Sequence, residues 1–544
     1  MTNELHYLSI GESSRAIAQG TLSPVELCEA ALARVEETNS ELRAFLTITG
    51  DAALDAAKAA ERAIQRSAPT SPLHGVPYAL KDVYDTAGLL TTCHSAITAD
   101  RVPSTDAHCA ARLREAGGIL LGKLATHEFA TGGPSYDIPW PPARNPWRLD
   151  RFPGGSSSGA AAAVAAGLVP GAMGSDTGGS IRLPAAYCGL VGLKPTFGRV
   201  SKRGVMPLSW TLDNCGPLTW TVEDAAILLQ IIAGHDPLDP GSNNINVPDF
   251  SAGLGKSIKG MRIGVVRGLY EGSEHTASDV IEAMSQTYAV LRDLGAELVE
   301  VELPSLETYQ ACYRTIVMSE AFALHEQTLR TRTNEYGSSF RYRILPGALI
   351  DASDYVSALR MQRDLRQQTL NTFASVDVLV SATTSTAAPV QHQMSTEGGF
   401  RIPPLTIPFN IAQCPAVSLC NGFSQDGLPL SMQIAGPPFE EARILQVAAA
   451  YEDNTQWRAS RPQLLRAEEQ EIAPSESYDR VAHDAPYAIL ARRRGLALDE
   501  QALSELSSAM AATDELFEHV RLERPYWDEP GPTFSVVTAA EADR

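Results

Sequence analysis

The chain has 544 residues, of which 44% are hydrophobic and 20% charged, a composition typical of globular domains. Its formal net charge is −20 and its acidic residues are spread along the chain, so we expect neither nucleic acid nor an anionic membrane as a partner. The N-terminus lacks the pattern of a secretory signal, and no apolar run reaches the roughly 20 residues of a membrane helix. These features predict a cytoplasmic protein.

The elements in chain order predict an α/β protein with a small helical extension. Residues 1–65 are predicted to be helices that pack on the core, with Ser23 and Pro24 as the N-cap and first residue of one helix. In residues 66–455 short apolar runs alternate with amphipathic helical stretches, which predicts a large mixed central β-sheet covered by helices on both faces.

Residues 456–544 differ in composition from the core. They predict a linker to about residue 488, a helix that Asp499 caps, and a proline-rich tail, ERPYWDEPGPTF. The eight cysteines of the whole chain contain no CxxC pair, and we expect them to be reduced.

Two glycine–serine tracts, at 154–159 and 174–182, enclose a run of small apolar residues. A flexible linker is one interpretation, but an alanine-rich helix candidate follows the first tract at once. A second interpretation is the GxSxG nucleophile elbow, which requires a buried strand just before it. The preceding segment NPWRLDRFP contains no apolar strand, so this interpretation fails. In the third, the helix brings both turns to one edge of the core, where backbone N–H groups around Ser180 can face a carbonyl that its hydroxyl attacks.

A serine nucleophile needs a base. Among the eleven histidines His127 is the nearest candidate, although a structural, hydrogen-bonding role suits it better. Lys81 follows an apolar run that could bury it, and desolvation can lower a lysine pKa from about 10.4 toward roughly 7–8, where the amine acts as a base. A surface lysine at a strand end is the alternative interpretation.

Three segments resemble the hallmark blocks of the amidase signature family: LKD at 80–82, GGSSSG at 154–159, and GSDTGGSIRLPAAYCGLVGLKPTFGRVS at 174–201. The resemblance extends over about residues 5–453 and implies the amidase signature fold. Two departures are visible. Ser158 stands where the family often has glycine, and Ala382 where relatives often have proline.

The resemblance implies a catalytic triad of Lys81, Ser156 and Ser180, with Ser156 preceded by a cis peptide bond. Lys81 would accept a proton from Ser156, and Ser156 from Ser180, whose hydroxyl attacks an amide carbonyl to form an acyl-enzyme and release ammonia or an amine. The oxyanion would be held by four backbone N–H groups: Thr177, Gly178, Gly179 and Ser180. We expect Asp176 and Arg182 to fix this loop rather than touch substrate, Ser157, Ser158 and Ser175 to be loop formers, and no metal or organic cofactor to be needed.

The predicted function is hydrolysis of a small carboxylic amide, or a related carbamate or hydrazide, by a free-standing amidase acting on linear C–N bonds. The alternative is the glutaminase subunit of a tRNA-dependent amidotransferase complex. Arg341 or Arg343 could hold a glutamine carboxylate, but Pro403 and Pro404 stand where the resemblance places an acid for its ammonium group. A catalytically inactive scaffold is a third hypothesis, which the intact triad argues against.

Residues of roughly 485–535 resemble the small helical partner subunits of some amidase-family enzymes. The other interpretation is a plain helical appendix that packs on the core or on a second protomer. The extension would wrap either its own protomer or a neighbouring one, and in the second case the protein would be a homodimer. Pocket walls are expected within 132–140, 205–215 and 305–350. Aromatic residues there either line the pocket or pack in the core: Trp140, Trp210, Tyr309 and Tyr313.

Overall fold

A mixed β-sheet of eleven strands organises the computed structural model, which describes residues 5–394, 403–464 and 486–521. The strands are β1 (Phe45–Ile48), β2 (Pro77–Lys81), β3 (Ile119–Leu124), β4 (Gly171–Asp176), β5 (Val191–Lys194), β6 (Asn214–Thr219), β7 (Arg262–Val265), β8 (Glu297–Glu300), β9 (Val378–Ala382), β10 (Ala416–Phe423) and β11 (Pro429–Ala435). Their order is β1-β3-β2-β4-β6-β5-β10-β11-β9-β7-β8. Strand β2 is parallel to β3 and β4, β7 is parallel to β8 and β9, and the other pairs are antiparallel.

Helices cover both faces of this sheet. They are α1 (Ile10–Ala18), α2 (Pro24–Leu42), α3 (Gly50–Arg66), α4 (His108–Glu115), α5 (Ser158–Ala165), α6 (Arg182–Cys188), α7 (Val222–Ile232), α8 (Ser278–Asp293), α9 (Leu306–Arg332), α10 (Ser338–Ile344), α11 (Ala352–Thr372), α12 (Ile407–Ile411), α13 (Glu441–Asp453), α14 (Pro486–Arg493) and α15 (Glu500–Val520). Side chains alternate along β2, with Tyr78 and Leu80 in one core cluster and Ala79 in the cluster on the opposite face. The predicted fold class is confirmed.

The N-terminal segment is helical as predicted but also supplies a strand. The Ser23 side chain accepts hydrogen bonds from the N–H groups of Val25 and Glu26, and Pro24 is the first residue of α2. Between α2 and α3 the chain forms β1, which pairs with β3 at the edge of the sheet. Residues 45–48 therefore belong to the sheet of the core.

The C-terminal helix α15 packs on α9, α10 and α11. Asp499 caps it by accepting the N–H of Ala502, as predicted. Its apolar face is buried: Leu503, Leu506, Met510, Phe517 and Val520. Most of the predicted linker and all of the proline-rich tail lie outside the described residues. Among the described helices, none is long and apolar enough to cross a membrane.

The two glycine–serine tracts meet beside the ends of β2 and β4. Strand β2 ends at Lys81, beside β4, and the first tract leads into α5, whose residues are all buried. The second tract continues β4 into the turn before α6. This arrangement brings both turns to one edge of the core, in agreement with the third interpretation of the tracts.

Candidate active site

A buried lysine lies at the centre of the candidate site. Lys81 is fully buried, and its Nζ lies 2.7 Å from Ser156 Oγ and 2.9 Å from Ser175 Oγ. Because β2 and β4 are parallel and pair Leu80 with Met173, the end of β2 lies beside the serine that follows Gly174. The structure thus places two of the three predicted catalytic residues in direct hydrogen-bonding contact.

Burial sets the protonation of this lysine. It lowers the pKa of Lys81 from 10.5 to about 7, and the carboxylates of Asp213 and Asp176 oppose that change only in part. A lysine with this pKa is substantially neutral near pH 7, and a neutral amine can accept a proton from a hydroxyl. Its role as the base stays a prediction, which this lowered pKa and the contact with Ser156 support.

The two serine turns are joined through their backbones. The peptide bond between Gly155 and Ser156 is cis, the geometry that the resemblance implies. The carbonyl of Ser156 accepts the N–H of His127 at 3.0 Å, and the N–H of Ser157 donates to the carbonyl of Ser180 at 3.2 Å. Ser156 is fully buried, whereas Ser180 is partly exposed. The predicted relay is thus inside the core and the predicted nucleophile at its surface.

A buried ion pair fixes the turn that carries Ser180. The Asp176 carboxylate accepts hydrogen bonds from Gly179 N–H at 2.8 Å and from Arg182 Nε at 3.1 Å, and both charged side chains are 0% exposed. Burial alone would raise the pKa of Asp176, but the Arg182 guanidinium holds it down at about 2. Arg182 also donates to Asn410 Oδ1 and Gln433 Oε1. These contacts support the predicted role of Asp176 and Arg182 in fixing the loop.

The same hydrogen bond engages one of the four predicted oxyanion donors. The N–H of Gly179 donates to Asp176, so in this structure it serves the turn itself. The other three predicted donors, Thr177, Gly178 and Ser180, stay predictions.

Side chains from distant segments hold the rest of the turn. The Thr406 hydroxyl donates to the carbonyl of Gly178 at 2.6 Å, and the Thr177 hydroxyl to Asp213 Oδ1 at 2.6 Å. Tyr313 lies against Gly178 so closely that an added Cβ there would be 2.4 Å from the tyrosine hydroxyl. Glycine is therefore required at position 178 by the close approach of Tyr313.

His127 supports the first turn. Its Nδ1 accepts the N–H of Gly133 at 2.8 Å, and its ring stacks on Phe152 with the ring centres 5.6 Å apart. Burial, with a further contribution from Lys81, lowers the pKa of His127 well below its usual value. A Cβ at Gly155 would lie 1.9 Å from the imidazole, so only glycine fits there. These contacts support the predicted structural role of His127.

A cavity of about 310 Å³ adjoins the contact between Ser175 and Lys81. Trp210 and Asp213 of the segment 205–215 line it, but neither Ser156 nor Ser180 does, so the role of this segment as a wall of the substrate pocket stays a prediction. Tyr309, by contrast, is fully buried and shares a hydrogen bond of 2.6 Å with Thr369, so it belongs to the core.

Within residues 5–394, 403–464 and 486–521, no three His, Cys, Asp or Glu side chains cluster to hold a metal ion.

Ser175 is the site residue that sequence reasoning missed, since it was predicted to be a loop former. It lies in β4, and its hydroxyl is the second hydrogen-bond partner of Lys81. The signal in the sequence is that Ser175 is the second residue of the hallmark block at 174–201. The pairing of β2 with β4 that brings it to Lys81 cannot be read from the sequence.

The protein combines a large mixed sheet, a buried lysine hydrogen-bonded to a serine of a glycine-rich tract, and a second serine on a fixed glycine-rich turn. These features define a protein of the amidase signature type. The chain belongs to the amidase family, whose model, described as Amidase, matches residues 26–445. It is 41% identical over 492 residues to the A subunit of glutamyl-tRNA(Gln) amidotransferase from Chloroflexus aggregans, a match that covers 85% of this chain and all of the relative.

Solved structures of amidases share the fold. Native peptide amidase from Stenotrophomonas maltophilia superimposes with a TM-score of 0.73 at 29% identity, over 84% of this chain and 98% of the amidase. A chain from a vestigial protein complex connected with the evolutionary origins of an s-triazine catabolic enzyme gives a TM-score of 0.76 at 34% identity, over 82% and 98% of the two chains.

Proposed function

We propose that this protein hydrolyses a small carboxylic amide, or a related carbamate or hydrazide, through an acyl-enzyme on Ser180, with release of ammonia or an amine. The observation that supports this most is the 2.7 Å hydrogen bond between Lys81 Nζ and Ser156 Oγ, together with burial that lowers the pKa of Lys81 to about 7. A base in this state is suited to activating a serine hydroxyl near neutral pH.

In the proposed mechanism neutral Lys81 takes the proton of Ser156, Ser156 takes the proton of Ser180, and Ser180 Oγ forms a bond to the amide carbon. The C–N bond then breaks as the relay returns a proton to the leaving nitrogen, which departs as ammonia or an amine. Water attacks the acyl-enzyme by the same relay and releases the carboxylic acid. The backbone N–H groups of Thr177, Gly178 and Ser180 would stabilise the oxyanion, a contribution of roughly 3–4 kcal/mol for one donor.

The second candidate is the glutaminase subunit of a tRNA-dependent amidotransferase. The observation that favours it is the similarity to amidotransferase A subunits, 41% and 40% identical over 85% of this chain. These relatives support it more directly than they support a free-standing amidase. Against it stand Pro403 and Pro404, where an acid for the glutamine ammonium group is expected by resemblance. The cytoplasmic location and the homodimer stay predictions.

A screen of amides with ammonia detection separates the candidates. The purified chain is tested on a panel of primary amides, carbamates, hydrazides and glutamine, with Ser180→Ala as the control. A free-standing amidase hydrolyses at least one of them alone, and Ser180→Ala abolishes both this activity and labelling by a fluorophosphonate. The second candidate would be established if glutamine were the one compound of the panel that is hydrolysed and if its hydrolysis required added partner proteins. Persistent labelling of Ser180→Ala would move the nucleophile elsewhere.

A further inference from the structure

A buried ion pair ties the C-terminal helix to the core. The Glu505 carboxylate of α15 accepts two hydrogen bonds from the Arg341 guanidinium of α10, at 2.7 and 2.8 Å. The side chains of Arg341 and Glu505 are 7% and 0% exposed. A guanidinium held by both of its parallel donors has a fixed orientation, which a single contact would not impose. The pair therefore fixes how α10 lies against α15.

Helix α10 in turn holds the segment around Glu128. Gly337, the N-cap residue of α10, donates its N–H to Glu128 Oε2 at 2.8 Å, while Glu128 Oε1 accepts the Ser95 hydroxyl at 2.5 Å. The ring of Phe340 in α10 contacts the ring of Phe129, with the centres 5.7 Å apart. The position of residues 128 and 129 thus depends on α10.

The next residue along this segment contacts the catalytic turn. His127, which precedes Glu128, donates its N–H to the carbonyl of Ser156 at 3.0 Å, and its ring lies against Gly155. Buried contacts therefore run without interruption from Glu505 through α10 to the residue that hydrogen-bonds Lys81.

The same helix also lines a cavity. Leu516 and His519 of α15 and Leu405 are among the residues that line a cavity of about 930 Å³. Leu405 precedes Thr406, whose hydroxyl donates to the carbonyl of Gly178. Helix α15 thus borders a cavity that is also lined by the residue before Thr406.

We propose that Glu505 is a positioning residue for catalysis: through Arg341 and α10 it holds the segment 127–129 that keeps Ser156 in line with Lys81. The C-terminal extension is then a working part of the active site and more than an appendix. This inference rests on the proposed function, because it assigns Glu505 a role in the activation of Ser180.

The test measures the rate at which a fluorophosphonate probe labels Ser180 in the full chain, from pH 5.5 to 9. Glu505→Gln removes the charge that orients Arg341, and we expect labelling to slow about ten- to a hundredfold, since small misplacements of catalytic groups cost rates of that order. Loosening around Ser156 admits water to Lys81, so the acid limb of the profile should move to higher pH. The titratable groups that face Lys81 are Asp176, Asp213, Cys93, Cys215 and His127.

Arg521→Ala is the matched control. Arg521 makes a second two-point ion pair between α15 and the core, with both hydrogen bonds to Asp354 at 2.8 Å, but its partner lies in α11 and its own side chain is 57% exposed. We expect Arg521→Ala to keep the wild-type labelling rate and pH profile. If it slowed labelling as much as Glu505→Gln, the effect would come from docking of the helix in general, and the specific role of Glu505 would be refuted.

A milder variant keeps the test decisive if Glu505→Gln is insoluble. Glu505→Asp retains the charge with a shorter side chain, and we expect it to fold and to label several-fold more slowly than the wild type. Wild-type labelling and an unmoved acid limb in a folded Glu505 variant would overturn the inference. A wild-type chain that is not labelled at Ser180 would instead overturn the proposed function itself.

Discussion

Replacing Lys81 by methionine should abolish activity and stabilise the fold in a pH-dependent way. Burial lowers the pKa of Lys81 from 10.5 to about 7, and unfolding restores the ordinary value. Between these two pH values the unfolded chain binds a proton that the folded chain does not, so the free energy of unfolding of the wild type rises with pH across this window. Below about pH 7 the lysine is protonated in both states, so the full cost of burying its charge lowers the free energy of unfolding.

The structure sets the size of this effect. A pKa lowered from 10.5 to about 7 corresponds to about 5 kcal/mol, since one pKa unit is about 1.4 kcal/mol, and about 3.5 kcal/mol of this remains at pH 8. Methionine also removes the hydrogen bonds to Ser156 and Ser175, at a cost of about 2 kcal/mol together. Lys81→Met should therefore be more stable than the wild type by about 3 kcal/mol at pH 7 and about 1.5 kcal/mol at pH 8, and less stable near pH 10.

Denaturant midpoints of the wild type and Lys81→Met at pH 7, 8, 9 and 10 measure this difference. Lys256→Met, at an exposed lysine, is the control and should give a difference that does not change with pH. We expect the difference for Lys81→Met to fall by about 1.4 kcal/mol per pH unit. A difference that stays constant from pH 7 to 10 would show that Lys81 titrates normally, and it would refute its role as the base.

Three further predictions concern the same site. Labelling of Ser180 by a fluorophosphonate should fall about tenfold per pH unit below pH 7, because Lys81 must be neutral; a flat profile would contradict this. Ser175→Ala removes one hydrogen bond to Lys81 and should slow labelling about tenfold with the pH profile otherwise kept; a rate within twofold of the wild type would leave Ser175 without a role. Arg182→Met leaves the Asp176 carboxylate buried without its cation and should destabilise the fold by about 3–5 kcal/mol in denaturant titrations, whereas an unchanged midpoint would mean that the carboxylate does not depend on Arg182.

The sequence carried the chemistry of the site better than its geometry. The apolar run before Lys81 suggested a buried base, and the resemblance to the amidase signature family suggested Ser156 as the relay. The structure brings the two within 2.7 Å. Ser175 was missed because its role depends on which strands are neighbours. That pairing is set by long-range packing and leaves no local pattern.

Sequence rules predicted correctly those features that depend on a single helix. Ser23 and Asp499 cap their helices as predicted, since a cap needs only the first turn of the same helix. Strand β1 was not foreseen, because its few residues between two helices gain their structure from β3. The sequence could not decide whether Tyr309 lines the pocket or packs in the core. The reason is related: whether an aromatic side chain contacts substrate or other side chains depends on elements that are distant in the chain.

The docking of α15 on the catalytic core also bears on how the protein behaves at low abundance. A partner on a separate chain occupies its site only when its concentration exceeds its dissociation constant. A helix in the same chain meets its site at an effective concentration that is on the order of millimolar for short connections. The ion pair between Glu505 and Arg341 would therefore form in every folded molecule, and dilution would not separate this helix from the core that it completes.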